Sequence, residues 1–406
     1  MTSTAPGAAT PRLLRRLNAN LVLDALRSAG PLRVTELVAR TRLSRPTVDA
    51  VADDLLRLGW LEQVGAAPGA GPRRGRPARL LAFRADAGYV VGVDIGEHTV
   101  RVAVADLLGR VVAERRHPLA AHRRGTGPPT VPHGSERLEL VRGTAAATLA
   151  DAGVGRDAVL AASVGCTGGM DAETGAVLFT SAFPGLADVN LRTELEGTLG
   201  DTVLVENECN LAVLGERWQG AAAGVEDAIC VLAAERLGAG IVVGGTLVRG
   251  HAGLAGEMPF LGAYEFVHGA EGIAYLIRTL GTEAAAAGRL AGHDAAGLEA
   301  EAVVAAARAG DPVAVEIVER SVHAAGRAIV VMALVLNPEL VVIGGGVAAA
   351  GDVVLEPLRR QLATMVRMPP RLEASALGDR GALVGAIRHA LDHVEPALLA
   401  GLEDLA

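Results

Sequence analysis

Residues 90–104 read Val90-Val-Gly-Val-Asp94-Ile-Gly96-Glu-His-Thr-Val-Arg-Val-Ala-Val104. Two β-rich apolar runs, Tyr89–Val93 and Val100–Val104, flank the polar segment Asp94–Thr99. This pattern predicts a strand, a tight glycine turn and a second strand. Such a turn can bring backbone N–H groups and a carboxylate to a phosphate and its metal ion. An ordinary hairpin can carry the same residues, so the stretch alone leaves both interpretations open.

The charge is unevenly distributed on either side of this stretch. Residues 1–86 hold 14 arginines against 7 acidic residues, whereas the remainder holds 24 arginines against 39 acidic residues. A basic first fifth on an acidic body indicates a nucleic-acid contact that is confined to the N-terminal part. With 406 residues, half of them apolar, the chain is long enough for two or three domains with a sizeable core.

Cysteine usage and hydropathy favour a cytoplasmic protein without membrane contact. The three cysteines, Cys166, Cys209 and Cys230, are widely spaced and form no C-x-x-C motif. We expect them to be small buried side chains in a reducing compartment. The longest apolar run, Ala328–Leu336, is far shorter than the ~20 residues that span a bilayer.

Residues 1–11 are expected to be a disordered tail, and residues 12–86 a winged helix-turn-helix domain. Apolar residues at helical spacing predict three short helices, the third of them capped by Ser44. Arg45, Thr47 and Asp49 follow near the N-terminus of that helix, where a recognition helix meets base edges in the major groove. An ordinary helical bundle with a solvated polar face is the alternative.

A basic loop after the third helix favours the DNA-binding interpretation. Trp60–Val64 and Leu80–Phe83 are predicted strands, and the glycine- and proline-rich loop between them carries Arg74, Arg76 and Arg79. Such a wing can lie along phosphates or enter a minor groove, although a solvated linker would have the same composition. Helix, loop and local charge together predict that double-stranded DNA is the partner.

Residues 87–406 are predicted to form an α/β body with parallel strands, because strand and helix patterns alternate along them. One β-rich run ends in Glu206-Asn-Glu-Cys-Asn210, where amides and carboxylates suit hydrogen bonds to a polyol or general-base chemistry. A polar helix cap is the alternative there. Gly250–Glu257 is a glycine-rich loop with one acid, and a later strand ends in Gly344-Gly-Gly346.

In this order, the motifs resemble the ROK family of repressors, open reading frames and kinases. The resemblance covers the chain from about Arg12 to about Ala390. It rests on Leu43–Val48 as the start of a recognition helix, Gly75–Ala78 as a wing signature, Val93–Gly96 as a phosphate loop, Glu206–Glu208 as Glu-Asn-Asp, Gly256–Glu257 as a sugar-binding pair and Pro338–Gly346 as an adenosine region.

The resemblance implies a multidomain fold: a winged helix-turn-helix joined to a two-lobed, actin-like body of the sugar kinase and ribonuclease H type. Lobe one is then expected to span about 87–205 plus the C-terminal helix, and lobe two about 206–384. The implied sugar-binding residues are Asn207, Glu208, Glu257 and Glu265, and the implied vestiges of a nucleotide site are Asp94, Gly96, Gly238, Gly240, Gly344 and Gly345.

Departures from the family pattern favour a repressor over a kinase. Glu208 stands where the family has its catalytic Asp, so no catalytic residue is expected, because misplacement on the ~1 Å scale can cost ~100-fold. Glu97 and Glu235 stand in the two phosphate loops and would repel ATP unless Arg236 or a metal ion compensates. We therefore expect no nucleotide cofactor.

No metal is expected either. Zinc-bearing members have a His and a Cys-x-Cys-Gly loop after the sugar-binding Gly-Glu, but Gly256-Glu-Met-Pro-Phe260 lacks the His and Ala263–Ala270 lacks cysteine. The thiolate and imidazole ligands of a closed tetrahedral site are therefore missing from these positions.

The sequence thus predicts a sugar-responsive transcription repressor of the ROK type, acting as a homodimer or homotetramer on an inverted repeat. An ATP-dependent sugar kinase with a fused DNA-binding domain is the enzyme alternative. A constitutive DNA-binding protein whose body only oligomerises is a third interpretation.

Overall fold

The computed structural model describes residues 11–64, 79–119, 134–180, 182–183, 185–258 and 271–399. Nearly all of the predicted tail, 1–11, lies outside these ranges. So do the wing arginines Arg74 and Arg76, the predicted sugar ligand Glu265 and most of the segment compared with the zinc loop.

The N-terminal domain is a winged helix, as predicted. Its elements are α1 (Pro11–Ala29), β1 (Leu32–Arg33), α2 (Val34–Thr41), α3 (Arg45–Arg57), β2 (Leu61–Val64) and β3 (Leu80–Phe83). The strands form one antiparallel sheet in the order β1-β3-β2. Val48, Val51 and Leu55 of α3 are buried at the predicted helical spacing, so this helix packs its apolar stripe on α1 and α2.

Lobe one of the body is built on a five-stranded sheet in the order β10-β7-β4-β5-β6. Its elements are β4 (Tyr89–Ile95), β5 (Thr99–Asp106), β6 (Val111–Pro118), α4 (Gly134–Ala152), β7 (Val159–Cys166), the hairpin β8 (Gly169–Asp171) and β9 (Ala176–Phe179), α5 (Leu191–Leu199) and β10 (Val203–Asn207). Short 3-10 helices lie at Ala85–Ala87 and Arg156–Ala158.

Lobe two repeats this plan with a sheet in the order β13-β12-β11-β14-β15. Its elements are α6 (Glu208–Gln219), β11 (Ala228–Leu232), β12 (Gly238–Val243), β13 (Thr246–Leu247), α7 (Ile273–Ala286), α8 (Ala300–Arg308), α9 (Pro312–Leu336), β14 (Leu340–Gly344), α10 (Asp352–Met365) and β15 (Arg371–Ala374). Short 3-10 helices lie at Gly346–Ala350 and Gly378–Arg380, and the final helix α11 (Gly381–Ala397) returns to lobe one.

The prediction of parallel strands is wrong for half of the strand pairings. In each sheet the first three strands form an antiparallel meander, and two further strands join in parallel. The reason is the length of the connections, because a tight turn such as the one between β4 and β5 can only join antiparallel neighbours. The duplicated mixed sheet is the two-lobed, actin-like architecture that the family resemblance implied.

The helices α6 and α11 pack against each other between the two sheets with almost no side chain between their backbones. A Cβ atom on Gly385 of α11 would lie 1.7 Å from the carbonyl oxygen of Leu211. A Cβ atom on Gly215 of α6 would lie 2.5 Å from the carbonyl oxygen of Gly381. These glycines are therefore required by the close approach of the two helices.

The winged helix shares a hydrophobic core with α11, which the sequence did not predict. Leu23 and Leu26 of α1 belong to the same apolar cluster as Leu391, Val394 and Leu398. Arg16 also donates a hydrogen bond from Nη2 to the carbonyl oxygen of Pro396 at 3.1 Å. The DNA-binding domain is thus packed on lobe one rather than attached by its linker alone.

All three cysteines are buried and none forms a disulfide, as expected. Among the helices of the described ranges, none is both long and apolar enough to cross a membrane.

We expect opposite effects from two glycine substitutions, one at the α6–α11 contact and one on an exposed helix face away from it. Gly385→Ala should lower the free energy of unfolding by about 3 kcal/mol or more, because its methyl group overlaps the backbone of α6. Gly143→Ala, on an exposed face of α4 with no atom near the new methyl group, should raise it by about 0.5–1 kcal/mol. Urea unfolding measures both values. Equal stability of Gly385→Ala and the parent chain would contradict the close contact.

Candidate ligand cleft and DNA interface

The predicted DNA-binding side chains of α3 lie at its N-cap and in its first turns. The Ser44 side chain accepts a hydrogen bond from the Thr47 backbone N–H at 3.3 Å, so it caps the helix. Arg45 is 70% exposed and lies 3.8 Å from Asp49 one turn later. The structure therefore brings Ser44, Arg45, Thr47 and Asp49 together, and their contact with bases stays a prediction.

Arg79 lies at the base of the predicted wing, and its side chain forms an ion pair with α3. Its Nη1 donates to Asp53 of α3 at 2.8 Å. The neighbouring Asp54 is buried and accepts hydrogen bonds from Arg15 of α1, at 2.8 Å from Nε, and from Arg57. These ion pairs hold α3 against α1 and against the end of the wing.

Three of the four predicted sugar ligands, Asn207, Glu208 and Glu257, line a small pocket of about 200 Å³. Asn207 donates from Nδ2 to the carbonyl oxygen of Gly168 at 2.8 Å and to Glu257 Oε1 at 3.0 Å. Its Oδ1 accepts from the Cys209 backbone N–H at 2.7 Å, so Asn207 is also the N-cap of α6. The helix-cap interpretation of this motif is therefore confirmed for Asn207. The same side chain also lines the pocket, where its contact with a polyol stays a prediction.

The carboxyl groups of the pocket are held in a low-dielectric environment. The pKa of Glu208 is raised to about 8, mainly by burial; a hydrogen bond with Thr167 lowers it, and the nearby acidic groups Asp94, Glu257 and Glu97 raise it. Burial also raises the pKa of Glu257. A protonated Glu208 can donate a hydrogen bond, so near neutral pH the pocket offers a donor as well as acceptors to a ring of hydroxyls.

A larger cavity of about 520 Å³ lies between the lobes and opens into this pocket. The two share Thr167, Glu208, Leu232 and Arg236 in their linings. Of the predicted nucleotide-site residues, the structure places Asp94, Gly96 and Gly345 on the large cavity. The cleft therefore consists of a small pocket lined by predicted sugar ligands beside a larger cavity lined by three of the predicted nucleotide-site residues.

The other three glycines of that prediction have different surroundings. Gly238 lines the small pocket. A Cβ atom on Gly240 would lie 2.0 Å from the carbonyl oxygen of Cys209, and one on Gly344 would lie 2.9 Å from the Leu232 side chain. Gly240 and Gly344 belong to neither lining, and their absence of a side chain serves strand and helix packing instead.

Two arginines reduce the repulsion of ATP that was expected from the carboxylates of the two phosphate loops. Glu97 of lobe one lies 3.9 Å from Arg236 Nε of lobe two, across the cleft. Glu235 accepts hydrogen bonds from both terminal nitrogens of Arg278, one of them at 2.6 Å. Neither carboxylate therefore faces the cavity as an uncompensated charge, which corrects the simple repulsion argument for excluding ATP.

A buried arginine supports the turn between β4 and β5. Arg137 of α4 is fully buried, lies 4.2 Å from the Phe183 ring centroid and donates from Nη1 to the carbonyl oxygen of Gly96 at 2.5 Å. Burial raises the pKa of Asp94 in this turn to about 7; Asp379 also raises it, whereas Arg101 lowers it. Asp94 is thus a buried carboxyl on the wall of the large cavity.

Sequence reasoning missed several residues of the cleft. Thr167 follows the predicted strand of lobe one in Gly165-Cys-Thr-Gly-Gly169, a strand-end signal that could have identified it. Arg137 and Arg278 lie in helices far from the motifs, and no local pattern marks them. Over the described part of the chain, no three His, Cys, Asp or Glu side chains form a metal-binding group.

Comparisons with known proteins agree with this architecture. The sequence profile of the ROK family matches residues 90–393, and that of the MarR family matches residues 18–71. The putative xylose repressor of Caldicellulosiruptor sp. strain Rt8B.4 is 25% identical over 92% of this chain and 95% of its own length.

Two solved structures add to this. A ROK family glucokinase from Streptomyces griseus, solved in complex with glucose and AMPPNP, is 27% identical, with a TM-score of 0.62 over 75% of this chain and 100% of its own. A ROK family transcriptional regulator, described as a homolog of the E. coli MLC protein, is 20% identical, with a TM-score of 0.73 over 95% of this chain and 98% of its own. At that identity the second likeness shows the fold.

The fold and the cleft define a two-lobed protein of the sugar-kinase type that carries an N-terminal winged helix. The chain belongs to the ROK family, whose profile covers well over half of its residues.

The raised pKa of the half-buried Glu208 predicts a pH-dependent stability. Its pKa is about 8 in the folded chain against an ordinary value of 4.5, so between these values the folded chain binds more protons than the unfolded chain. The Glu208 contribution to the free energy of unfolding therefore falls as pH rises through this window. Relative to the parent chain, Glu208→Gln should gain stability from about pH 5 to pH 9 in urea unfolding experiments.

The exposed Glu173 gives a matched control for this experiment. Glu173→Gln should differ from the parent chain by a small amount that is constant over the same pH range. A pH-independent difference between Glu208→Gln and the parent would contradict the buried, protonated state of Glu208.

Proposed function

We propose that this protein is a sugar-responsive transcription repressor that binds an inverted DNA repeat as a homodimer or homotetramer in the cytoplasm. The observation that carries the proposal is that one packed structure contains both a DNA-recognition element and a polar pocket. A recognition helix exposes Arg45, and a pocket built by Asn207, Glu208 and Glu257 offers groups suited to hydroxyls. The two domains share one hydrophobic core, so a ligand in the cleft has a physical connection to DNA binding.

The relatives support the same conclusion. The similarity to the xylose repressor extends over nearly the whole chain and therefore includes the winged helix. The similarity to the glucokinase covers 75% of this chain although it covers all of the glucokinase. The part of this chain without a counterpart in that enzyme is compatible with the length of a DNA-binding domain.

We further propose that the cleft binds its sugar without phosphorylating it. Glu208 carries one methylene more than the Asp of the kinase motif, and geometric errors on the ~1 Å scale are costly for catalysis. The two phosphate loops hold Glu97 with Arg236 and Glu235 with Arg278, so ionic side chains occupy the loops where kinases hold phosphates. An ATP-dependent sugar kinase is the alternative that the 520 Å³ cavity favours, because its volume suits a nucleotide.

DNA recognition through α3 predicts a specific loss with one substitution. Duplexes enriched from a random-sequence pool by the parent chain should bind with an affinity that falls steeply with salt, because arginines displace counterions from phosphates. Arg45→Ala should weaken binding to these duplexes about tenfold and relax the base preference at one position of each half-site. Fluorescence anisotropy titrations at several salt concentrations measure both effects.

Arg360→Ala is the matched control, because Arg360 is an exposed arginine of α10 that pairs with Glu319 at 2.8 Å. It should leave DNA affinity unchanged. Deleting the winged helix is a poorer test, since it would expose the apolar residues of α11 that pack on α1. Equal effects of Arg45→Ala and Arg360→Ala would remove α3 from the DNA interface.

The pocket assignment predicts sugar binding without turnover. D-glucose, D-xylose and N-acetyl-D-glucosamine are the first probes, and the sugar that binds should raise the melting temperature, because a ligand of the folded state adds to its stability. Glu257→Ala should abolish that shift, since a removed acceptor costs about 1–3 kcal/mol, or about tenfold or more in affinity. The same sugar should change the affinity of the parent chain for its selected duplex.

A coupled ATP-consumption assay separates the repressor from the kinase. We expect no sugar-dependent ATP consumption by the parent chain or by Glu208→Asp, in which the kinase carboxylate is restored but the phosphate loops are not. Turnover by the parent chain at an ordinary kinase rate would overturn the non-enzymatic assignment. A chain that binds DNA while no sugar changes its melting temperature would instead be a constitutive DNA-binding protein.

A further inference from the structure

The joint between the winged helix and the body contains one carboxylate that two arginines share. Arg27 of α1 lies 3.3 Å from Glu395 Oε1 near the end of α11 and 4.8 Å from the ring centroid of Phe83 in β3. Glu395 Oε2 lies 3.1 Å from Nη2 of Arg388, which is about two helical turns earlier in α11. Glu395 therefore connects the DNA-binding domain to the body through ionic contacts at the edge of an apolar interface.

Arg388 in turn contacts the far end of α6. Its guanidinium lies 5.7 Å from the ring centroid of Trp218, close to the C-terminus of that helix. Trp218 is half-buried beside Gly109, where a Cβ atom would lie 2.3 Å from the indole ring. A change in the position of Trp218 must therefore displace Arg388 or the hairpin that holds Gly109.

The near end of α6 is the ligand pocket itself. Asn207 caps the helix and Glu208 is its first residue, and both line the small pocket. The helix thus runs from the pocket to the joint as one rigid element. It packs on the sheet of lobe two, whereas α11 packs on the sheet of lobe one, so any movement between the lobes displaces α6 relative to α11.

We propose that the helix pair α6 and α11 transmits the state of the pocket to the winged helix, and that Glu395 is the positioning residue that completes this connection. A shift of α6 along α11 moves Trp218 against Arg388. The ion pair between Arg388 and Glu395 then changes, and the ion pair between Glu395 and Arg27 changes with it. A ligand then shifts the population of the two arrangements only to the extent that these contacts of Glu395 differ between them. The biological meaning of this route rests on the proposed function, but the physical coupling does not.

A ligand-free double-variant experiment tests the coupling in the full chain. Asn207→Ala perturbs the pocket end of α6, and Glu395→Gln removes the shared charge at the other end. Asn207→Ala should raise the hydrogen-exchange rates of amides in α1 and α3 at least about threefold, a size typical of coupling between distant sites. When Glu395→Gln is also present, Asn207→Ala should have no further effect on those amides.

Two controls distinguish this coupling from a general loss of stability and from the loss of any surface carboxylate. Amides of α8 report any general loss of stability and should change less than those of the winged helix. Glu356→Gln removes a surface carboxylate that pairs with Arg359 at 3.3 Å on α10, away from the joint, and should leave the response to Asn207→Ala intact. If Asn207→Ala unfolds the chain, Glu257→Gln perturbs the same Asn207 contact without removing the helix cap.

Either of two outcomes overturns the proposal: winged-helix amides that do not respond to the pocket variant, or an equal response with and without Glu395. A final measurement separates this proposal from the function it extends. The change in affinity for the selected duplex on adding D-glucose or D-xylose is measured for the parent chain and for Glu395→Gln. If neither sugar changes the parent's DNA affinity, the proposed sugar response fails while the exchange result still decides the coupling; if Glu395→Gln responds as strongly as the parent, the role of Glu395 fails alone.

Discussion

The packing of α6 against α11 is the constraint on which the rest of the structure depends. These helices approach so closely that a methyl group on Gly385 would overlap the backbone of Leu211. Because α6 packs on lobe two and α11 on lobe one, this one contact sets the relative position of the lobes and therefore the width of the cleft. The winged helix packs on the C-terminal part of the same α11, so its placement depends on the contact as well.

The acidic groups of the cleft fall into two classes according to their partners. Glu208 and Glu257 interact with neutral donors, Thr167 and Asn207, and burial raises the pKa of both carboxyls. Glu97 and Glu235 have arginine partners, Arg236 and Arg278. The first class stays available for hydrogen bonds to a neutral polyhydroxylated ligand, whereas the second is committed to ion pairs. The two classes thus differ in whether their carboxyl oxygens are already engaged by a cationic side chain.

Local sequence was sufficient wherever a chain segment decides its own structure. Ser44 followed by a regular apolar stripe predicted α3 and its cap, and the glycine turn at Asp94–Thr99 predicted the hairpin of β4 and β5. Asn207, Glu208 and Glu257 were assigned to one pocket although forty-nine positions separate the last two along the chain, and the structure places them together. That assignment came from the family resemblance, since periodicity and spacing alone left a helix cap as an alternative.

What the sequence determined by itself was the helices and strands of the N-terminal domain, the hairpin of β4 and β5 and, through the family resemblance of its motifs, a two-lobed body with the acids of the pocket. These follow from hydrophobic periodicity, turn residues and motif order, which act over short stretches of chain. Only the tertiary structure decided that Arg236 and Arg278 neutralise Glu97 and Glu235, that Arg137 supports the first turn, and that α1 packs on α11. Each of these contacts joins residues that are distant in the chain, and arginine side chains are long enough to reach many partners, so their pairing is set by how the packed elements meet.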